Sequence, residues 1–304
     1  MKLIVLGSSA GGGFPQWNCN CANCSAVRQG SPTHLARTQS SIAIGGPQQW
    51  VLCNASPDLL TQLRHTPALQ PARALRDTGI AGVVLCDGQV DHSTGLYMLR
   101  EHRKPLPLWC TQPVHDDLSK GNPIFGVLGH YCGIAWHEIA LDGSPFSVPG
   151  VEGLRIHPLP LDSAPAPYSP HRDRPVPGDN IGLLLEDTAT RRRVFYAPGL
   201  GAISPAVWEA MGSAHTVLVD GTFWTDDEMI AMGLSTKTAR RIGHLPQSGP
   251  GGMLEHLASL PAGTRRVLIH INNTNPILDA ASPQRRELDR AGVELAWDGM
   301  EIDL

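Results

Sequence analysis

The sequence predicts an α/β sandwich, with sheets covered by helices on their outer faces. Apolar, strand-length runs recur along all 304 residues. They fall at 2–6, 41–44, 50–53, 82–86, 107–110, 154–159, 181–185, 193–196, 216–219, 266–271 and 293–297. Amphipathic helical patterns occupy some of the intervals, at 55–65, 93–103, 204–212, 252–260 and 282–291. Strands alternate with single helices in places and follow one another directly elsewhere, which fits layered sheets and not a parallel barrel. No repeat and no dividing linker stands out, so residues 1–304 read as a single domain.

Composition narrows the function. Hydrophobic residues make up 41% of the chain, enough for a sizeable core, and the formal charge of -4 speaks against a nucleic-acid or membrane-surface protein. No apolar run reaches the roughly 18 residues of a membrane helix. Met1 is followed at once by the strand Lys2-Leu3-Ile4-Val5-Leu6, without a basic leader, so a cytoplasmic protein is expected.

The glycines from Gly7 to Gly13 follow that strand but lack the Lys-Ser/Thr pair of a phosphate loop. They suit a backbone turn toward a cavity better than a nucleotide site. Next comes Cys19-Asn20-Cys21-Ala22-Asn23-Cys24, a C-x-C-x2-C pattern. Three thiolates this close can converge on one ion. Zinc prefers sulfur in a tetrahedral site, so a structural zinc needs a fourth ligand from elsewhere in the chain. A chance cluster of reduced thiols and a redox C-x2-C are the competing readings, the latter without thioredoxin-like flanks. Cys53, Cys86, Cys110 and Cys132 stand alone and read as buried thiols. Seven cysteines in a reduced chain fit a metal site better than a disulfide scaffold.

The run Val83-Val84-Leu85-Cys86 hands over to Asp87-Gly88-Gln89-Val90-Asp91-His92, and Leu96, Leu99 and Arg100 continue as a helix. Polar residues at such a junction often mark a site at a strand's C-terminal end, although Asp91 and His92 also read as a helix cap and a satisfied histidine. Asp220 ends the apolar run Thr216–Val219, and His270 lies in Val267-Leu268-Ile269-His270. Between them, Pro158 to Asn180 carries seven prolines and reads either as a structured loop over a site or as a surface excursion.

Taken together, these residues resemble the metallo-β-lactamase superfamily and, within it, the family of pyrroloquinoline quinone (PQQ) synthesis protein B. The likeness runs end to end. It covers the glycine loop, the cysteine cluster, Asp91-His92, Ile269-His270-Ile271-Asn272-Asn273 and the closing Trp297-Asp298-Gly299-Met300-Glu301-Ile302. It implies a four-layer αββα sandwich with metal ligands on loops at one edge of the sheets.

The departures from the superfamily pattern carry the functional expectation. Its hydrolases hold two zinc ions with H-x-H-x-D-H, where this chain has Asp87, Gln89, Asp91 and His92. The next histidine of the first site would fall near Asp162 or Ser163, and the bridging aspartate near Ala197-Pro198; neither is present. Asp91, His92 and His270 remain as an active-site metal set. Two histidines and a carboxylate with open positions are the ligands of non-haem Fe(II) oxygenases. The resemblance implies Fe(II) at that site and oxygenation of the tyrosine ring of a peptide-derived glutamate–tyrosine precursor of PQQ. An older view of the family is a carrier of PQQ or its precursor toward the periplasm. Other proteins of the pathway are expected partners. Asp87, Gln89, Asp220 and His244 are candidates for orienting ligands or binding substrate, and Arg172, Arg174 and His171 for pairing with its carboxylates. Asn273 stands where the phosphodiesterase branch has the fourth ligand of the structural zinc.

Overall fold

The computed structural model describes all 304 residues, in two mixed sheets packed face to face. The strands in chain order are β1 (Lys2–Gly7), β2 (Ser41–Gly45), β3 (Trp50–Cys53), β4 (Ile80–Val84), β5 (Leu106–Cys110), β6 (Ile134–Glu138) and β7 (Leu154–Pro160). They continue with β8 (Ile181–Asp187), β9 (Arg193–Ala197), β10 (Thr216–Asp220), β11 (Arg265–Ile269), β12 (Val293–Leu295) and β13 (Glu301–Asp303). One sheet has the order β13-β1-β2-β3-β4-β5-β6 and the other β12-β11-β10-β9-β8-β7.

The unbroken apolar character of the central strands follows from burial on both faces, unlike the edge strands β6, β7 and β13. Leu3 and Val5 of β1 point between the sheets, while Ile4 and Leu6 point to the outer layer. Val267 and Ile269 of β11 likewise face the other sheet, and Leu268 faces outward. Leu59, Val114, Ile124 and Leu128 from short helices cover the first sheet. Val207, Met211, Met253, Leu257 and Leu288 cover the second. Each such side chain contributes roughly 1.5–3 kcal/mol by leaving water. The result is the four-layer αββα sandwich.

Two covering helices start where the sequence places them. Helix 205–213 is capped by the Ser204 hydroxyl and helix 283–290 by that of Ser282, each with proline in the first turn. Elsewhere the expectations need correcting. Helix 55–65 begins only at Leu59. The helix expected over 93–103 is a single α turn, Val90–Ser93, running into a 3-10 stretch, Thr94–Leu99. Gly95 packs so tightly on Ala55 and Ser56 that a Cβ there would lie 2.2 Å from the Ser56 carbonyl oxygen. That contact fixes the path of the segment against helical propensity. Strands β6 and β13 were not anticipated. No helix is long and apolar enough to cross a membrane.

The proline-rich segment joins β7 to β8 and folds over one edge of the sandwich. The Tyr168 hydroxyl donates to the Gly88 carbonyl, and Gln89 Nε2 donates to the Ala164 carbonyl at 3.3 Å. Asn180 pairs with Asp87 through a backbone bridge. It is a structured loop over a site.

Candidate metal centre

The parallel strands β4, β10 and β11 deliver their C-terminal ends to one edge. Asp220 lies opposite Ile269 in the β10–β11 ladder, so Asp220 and His270 emerge side by side. The Asp87–His92 segment follows β4 onto the same edge. These residues border a cavity of about 330 Å³, lined among others by Asp91, His92, His244, His270, Arg172 and Phe223.

Asp91, His92 and His270 place one ligand atom each within 4.8 Å of one another. Asp91 Oδ2 lies 3.2 Å from His270 Nε2 and 3.8 Å from His92 Nε2. His92 is 2% exposed, and its Nδ1 donates to the Asp87 carboxylate at 2.8–2.9 Å. That bond leaves Nε2 buried and without a partner. Burial opposes a charge on His92, but Asp87 and Asp91 outweigh it and raise its pKa to about 9. Burial likewise works against the Asp91 carboxylate, yet His92 and His270 hold its pKa well below the usual range. A half-buried anion between two buried imidazoles, one with an orphaned nitrogen, fits a bound cation. Asp87 supplies the hydrogen bond that orients the His92 ring.

A second pair stands beside this set. His244 Nδ1 donates to Asp220 Oδ2 at 2.6 Å, and its ring stacks on His270 at 5.4 Å between centroids. Burial disfavours a charge on His244, but the Asp220 carboxylate raises its pKa overall. Asp220 is wholly buried and also accepts from the backbone N–H groups of Leu200 and Thr222, both at 2.9 Å. It therefore reaches the cavity through His244 and not directly. Thr222, two residues on, bonds Asp220, His244 and His270 through its hydroxyl. His270 itself has φ of 60°.

Other expected site residues divide. Gln89 and Arg172 line the cavity, Arg172 bonding the Pro165 carbonyl. Arg174 is exposed and does not line it. His171 faces Asp117 and Asp179 behind the motif loop. Ser163 and Gly199 border the cavity, and neither is a histidine or a carboxylate. Thr222, Phe223 and Asn180 were not anticipated from the sequence. The Asp220-Gly221-Thr222 triplet after an apolar strand was the available signal for Thr222.

The cysteine cluster lies behind the same edge. Cys19, Cys21 and Cys24 bring their sulfurs within 4.8 Å of one another. The Asn273 side-chain amide reaches all three, at 3.1, 3.7 and 3.3 Å. Burial disfavours the Cys19 thiolate, but the Cys21 N–H, its neighbour thiols and Asn273 lower its pKa on balance. Cys21 is pushed up to about 11, first by burial and also by the adjoining sulfurs. Three converging sulfurs cannot all ionise without a cation among them, so the donor set fits zinc. Amide oxygen and nitrogen exchange places by a half-turn, which turns the Asn273 side-chain oxygen toward the sulfurs as a fourth donor.

A short segment joins the two clusters. His270 faces the cavity, Asn272 lines it, Asn273 faces the sulfurs, and Asn275 bonds the carbonyls of Gly221 and Thr222 at 3.0 and 3.2 Å. Behind it, Glu228 is 8% exposed and accepts from the Thr274 hydroxyl at 2.5 Å and from the Trp224 N–H at 2.7 Å. Thr274 in turn accepts from Asn272 at 2.5 Å. Burial raises the Glu228 carboxyl to about 7, although these bonds act in the opposite direction.

Comparison with known proteins agrees with this architecture. The β-lactamase superfamily domain matches residues 49–271. The coenzyme PQQ synthesis protein B of Azoarcus sp. (strain BH72) is 66% identical over 305 residues, and that of Methylococcus capsulatus 56% over 305, each covering all of both chains. The crystal structure of zinc-bound PqqB from Methylobacterium extorquens superposes with a TM-score of 0.91 at 34% identity over all of both chains. A diphosphatase of the PhnP family shares the fold, with a TM-score of 0.68 at 18% identity over 99% of this chain and 96% of its own. The chain therefore belongs to the β-lactamase superfamily and, within it, to the coenzyme PQQ synthesis protein B family.

Proposed function

We propose that this chain acts in PQQ biosynthesis as a cytoplasmic, iron-dependent oxygenase that hydroxylates the tyrosine ring of the glutamate–tyrosine precursor, one atom of O2 entering the ring and the other leaving as water as the ring reaches the ortho-quinone level. One observation carries the reading: Asp91, His92 and His270 converge at the cavity with the buried His92 Nε2 left without a partner. Two imidazoles and one carboxylate would hold the ion, and the positions of the hydrolases' first two histidines carry Asp87, committed to His92 Nδ1, and Gln89. A bridging hydroxide between two metals, the basis of hydrolysis in this superfamily, thereby loses its support. Asp91, His92 and His270 would hold iron(II), which would supply oxygen activation.

The remaining residues have roles toward the substrate. Arg172 pairs with a substrate carboxylate at the cavity wall. Phe223 and the proline-rich loop shield the ring from water. His244, held through Nδ1 by Asp220, accepts the phenol proton at Nε2. The cavity volume suits a small molecule of this class. Zinc held by Cys19, Cys21, Cys24 and Asn273 is structural, since a filled set leaves no open position.

The test is oxygen uptake by protein loaded anaerobically with Fe(II) and given the glutamate–tyrosine precursor, with mass analysis of the product. Iron-dependent uptake with oxygen added to the ring supports the proposal. Absence of uptake, with PQQ still tightly bound, sinks it in favour of a carrier toward the periplasm.

A further inference from the structure

Thr222 holds a hydroxyl at which His270 meets the His244–Asp220 pair. Its Oγ1 lies 2.6 Å from Asp220 Oδ1, 2.9 Å from His270 Nδ1, 2.9 Å from the His270 carbonyl oxygen and 3.1 Å from His244 Nδ1. A hydroxyl offers one proton and two lone pairs. The Asp220 oxygen is its nearest acceptor and the only charged one, so it takes the proton. The lone pairs then face His270 Nδ1, which must donate. His244 makes no rival claim, because its own Nδ1–H is committed to Asp220 Oδ2 at 2.6 Å.

We propose that Thr222 is a positioning residue that keeps the His270 proton on Nδ1 against the pull of Asp91 Oδ2, 3.2 Å from Nε2, so that the Nε2 lone pair is available to the metal. The inference rests on reading Asp91, His92 and His270 as the metal set. One carboxylate then serves two histidines, His244 directly and His270 through a hydroxyl, as Asp87 serves His92 alone. The arrangement explains why a buried threonine with no other polar duty stands here. It also explains how His270 keeps its place with a left-handed backbone, which is unfavourable for a side chain of this kind. Asn272 N–H and Asn275 Nδ2 donate to the Thr222 carbonyl at 3.1 and 3.2 Å and fasten the turn from its other side. Those bonds use only the backbone of residue 222, so a hydroxyl deletion leaves them in place.

The experiment compares Thr222→Val and Thr222→Ser in the full chain, with the cysteine cluster filled with zinc. Nitrogen-15 NMR of labelled histidines, recorded without metal at the triad and at alkaline pH, reads the tautomer. Cobalt(II) titration reads the affinity. The expectation is an Nδ1–H tautomer for His270 in wild type and in the serine variant, and an Nε2–H population in the valine variant. Cobalt affinity falls about 10- to 100-fold in the valine variant and is restored by serine. An unchanged tautomer together with unchanged affinity in Thr222→Val overturns the inference; Thr222→Ala replaces it if the valine variant does not fold. Equal cobalt binding by wild type and His92→Ala would remove the metal reading instead, and the tautomer result would still decide the role of Thr222.

Discussion

Glu228 makes the stability of this protein depend on pH in a way that one substitution should erase. Its carboxyl sits at 8% exposure behind the His270–Asn275 segment, with a pKa near 7 in the fold against an ordinary value of 4.5. A group whose pKa is raised on folding stabilises fully below the unfolded value and loses that contribution as pH rises through the folded one. The difference of about 2.5 between the two values corresponds to ~3 kcal/mol, lost between about pH 4.5 and pH 7 and above. Glu228→Gln stays neutral throughout. It keeps an acceptor for the Thr274 hydroxyl and turns an NH2 group toward the Trp224 N–H, forfeiting about 1 kcal/mol there. The variant should therefore be slightly less stable than wild type near pH 5 and about 2 kcal/mol more stable near pH 8.5. Urea denaturation across that range, with the cysteine cluster kept filled with zinc, is the assay. Parallel stability profiles for the two proteins would refute the reasoning.

Three further predictions concern the two clusters. Cys21→Ala should lose bound zinc and much of the stability, checked by metal analysis and thermal melting; equal zinc content would refute the structural knot. His92→Ala should abolish precursor oxidation while the chain stays folded by circular dichroism, with a lower melting temperature because Asp87 loses its buried partner, and full activity would remove His92 from the chemistry. Gly88→Ala should destabilise by about 1–3 kcal/mol. Its new Cβ would lie 2.7 Å from Asp117 Oδ2 and 2.9 Å from Asp117 Cβ, and a variant as stable as wild type would show that the buried Asp117 yields freely.

Much of this molecule was legible because its strands are buried on both faces. Apolar runs such as Val83–Leu85 and Val217–Val219 carry their own signal, and the polar residue that ends each run marks the site edge. Asp91, His92 and His270 could be named together only through the family resemblance, since their proximity is created by strand order and not by sequence spacing. Thr222 was missed because a threonine after Asp220 looks like any turn residue until the imidazoles of His244 and His270 surround it. The helix over 93–103 failed because Gly95 answers to its contact with Ser56, a neighbour 39 positions away in sequence. Arg172 and Arg174 look equivalent in a proline-rich stretch, and only the path of the loop turns one inward and leaves the other in solvent.

The segment from His270 to Asn275 contributes to both side-chain clusters at once, with two residues between His270 and Asn273. Ordering it for either ion restricts the same few backbone torsions, so part of the cost of assembling one site is already met when the other is filled. Such sharing is cooperativity without a conformational switch, and thermodynamics makes it mutual. Zinc among the sulfurs should tighten the grip of the cavity on its metal, and metal in the cavity should slow the escape of that zinc to a chelator by favouring the same ordered segment.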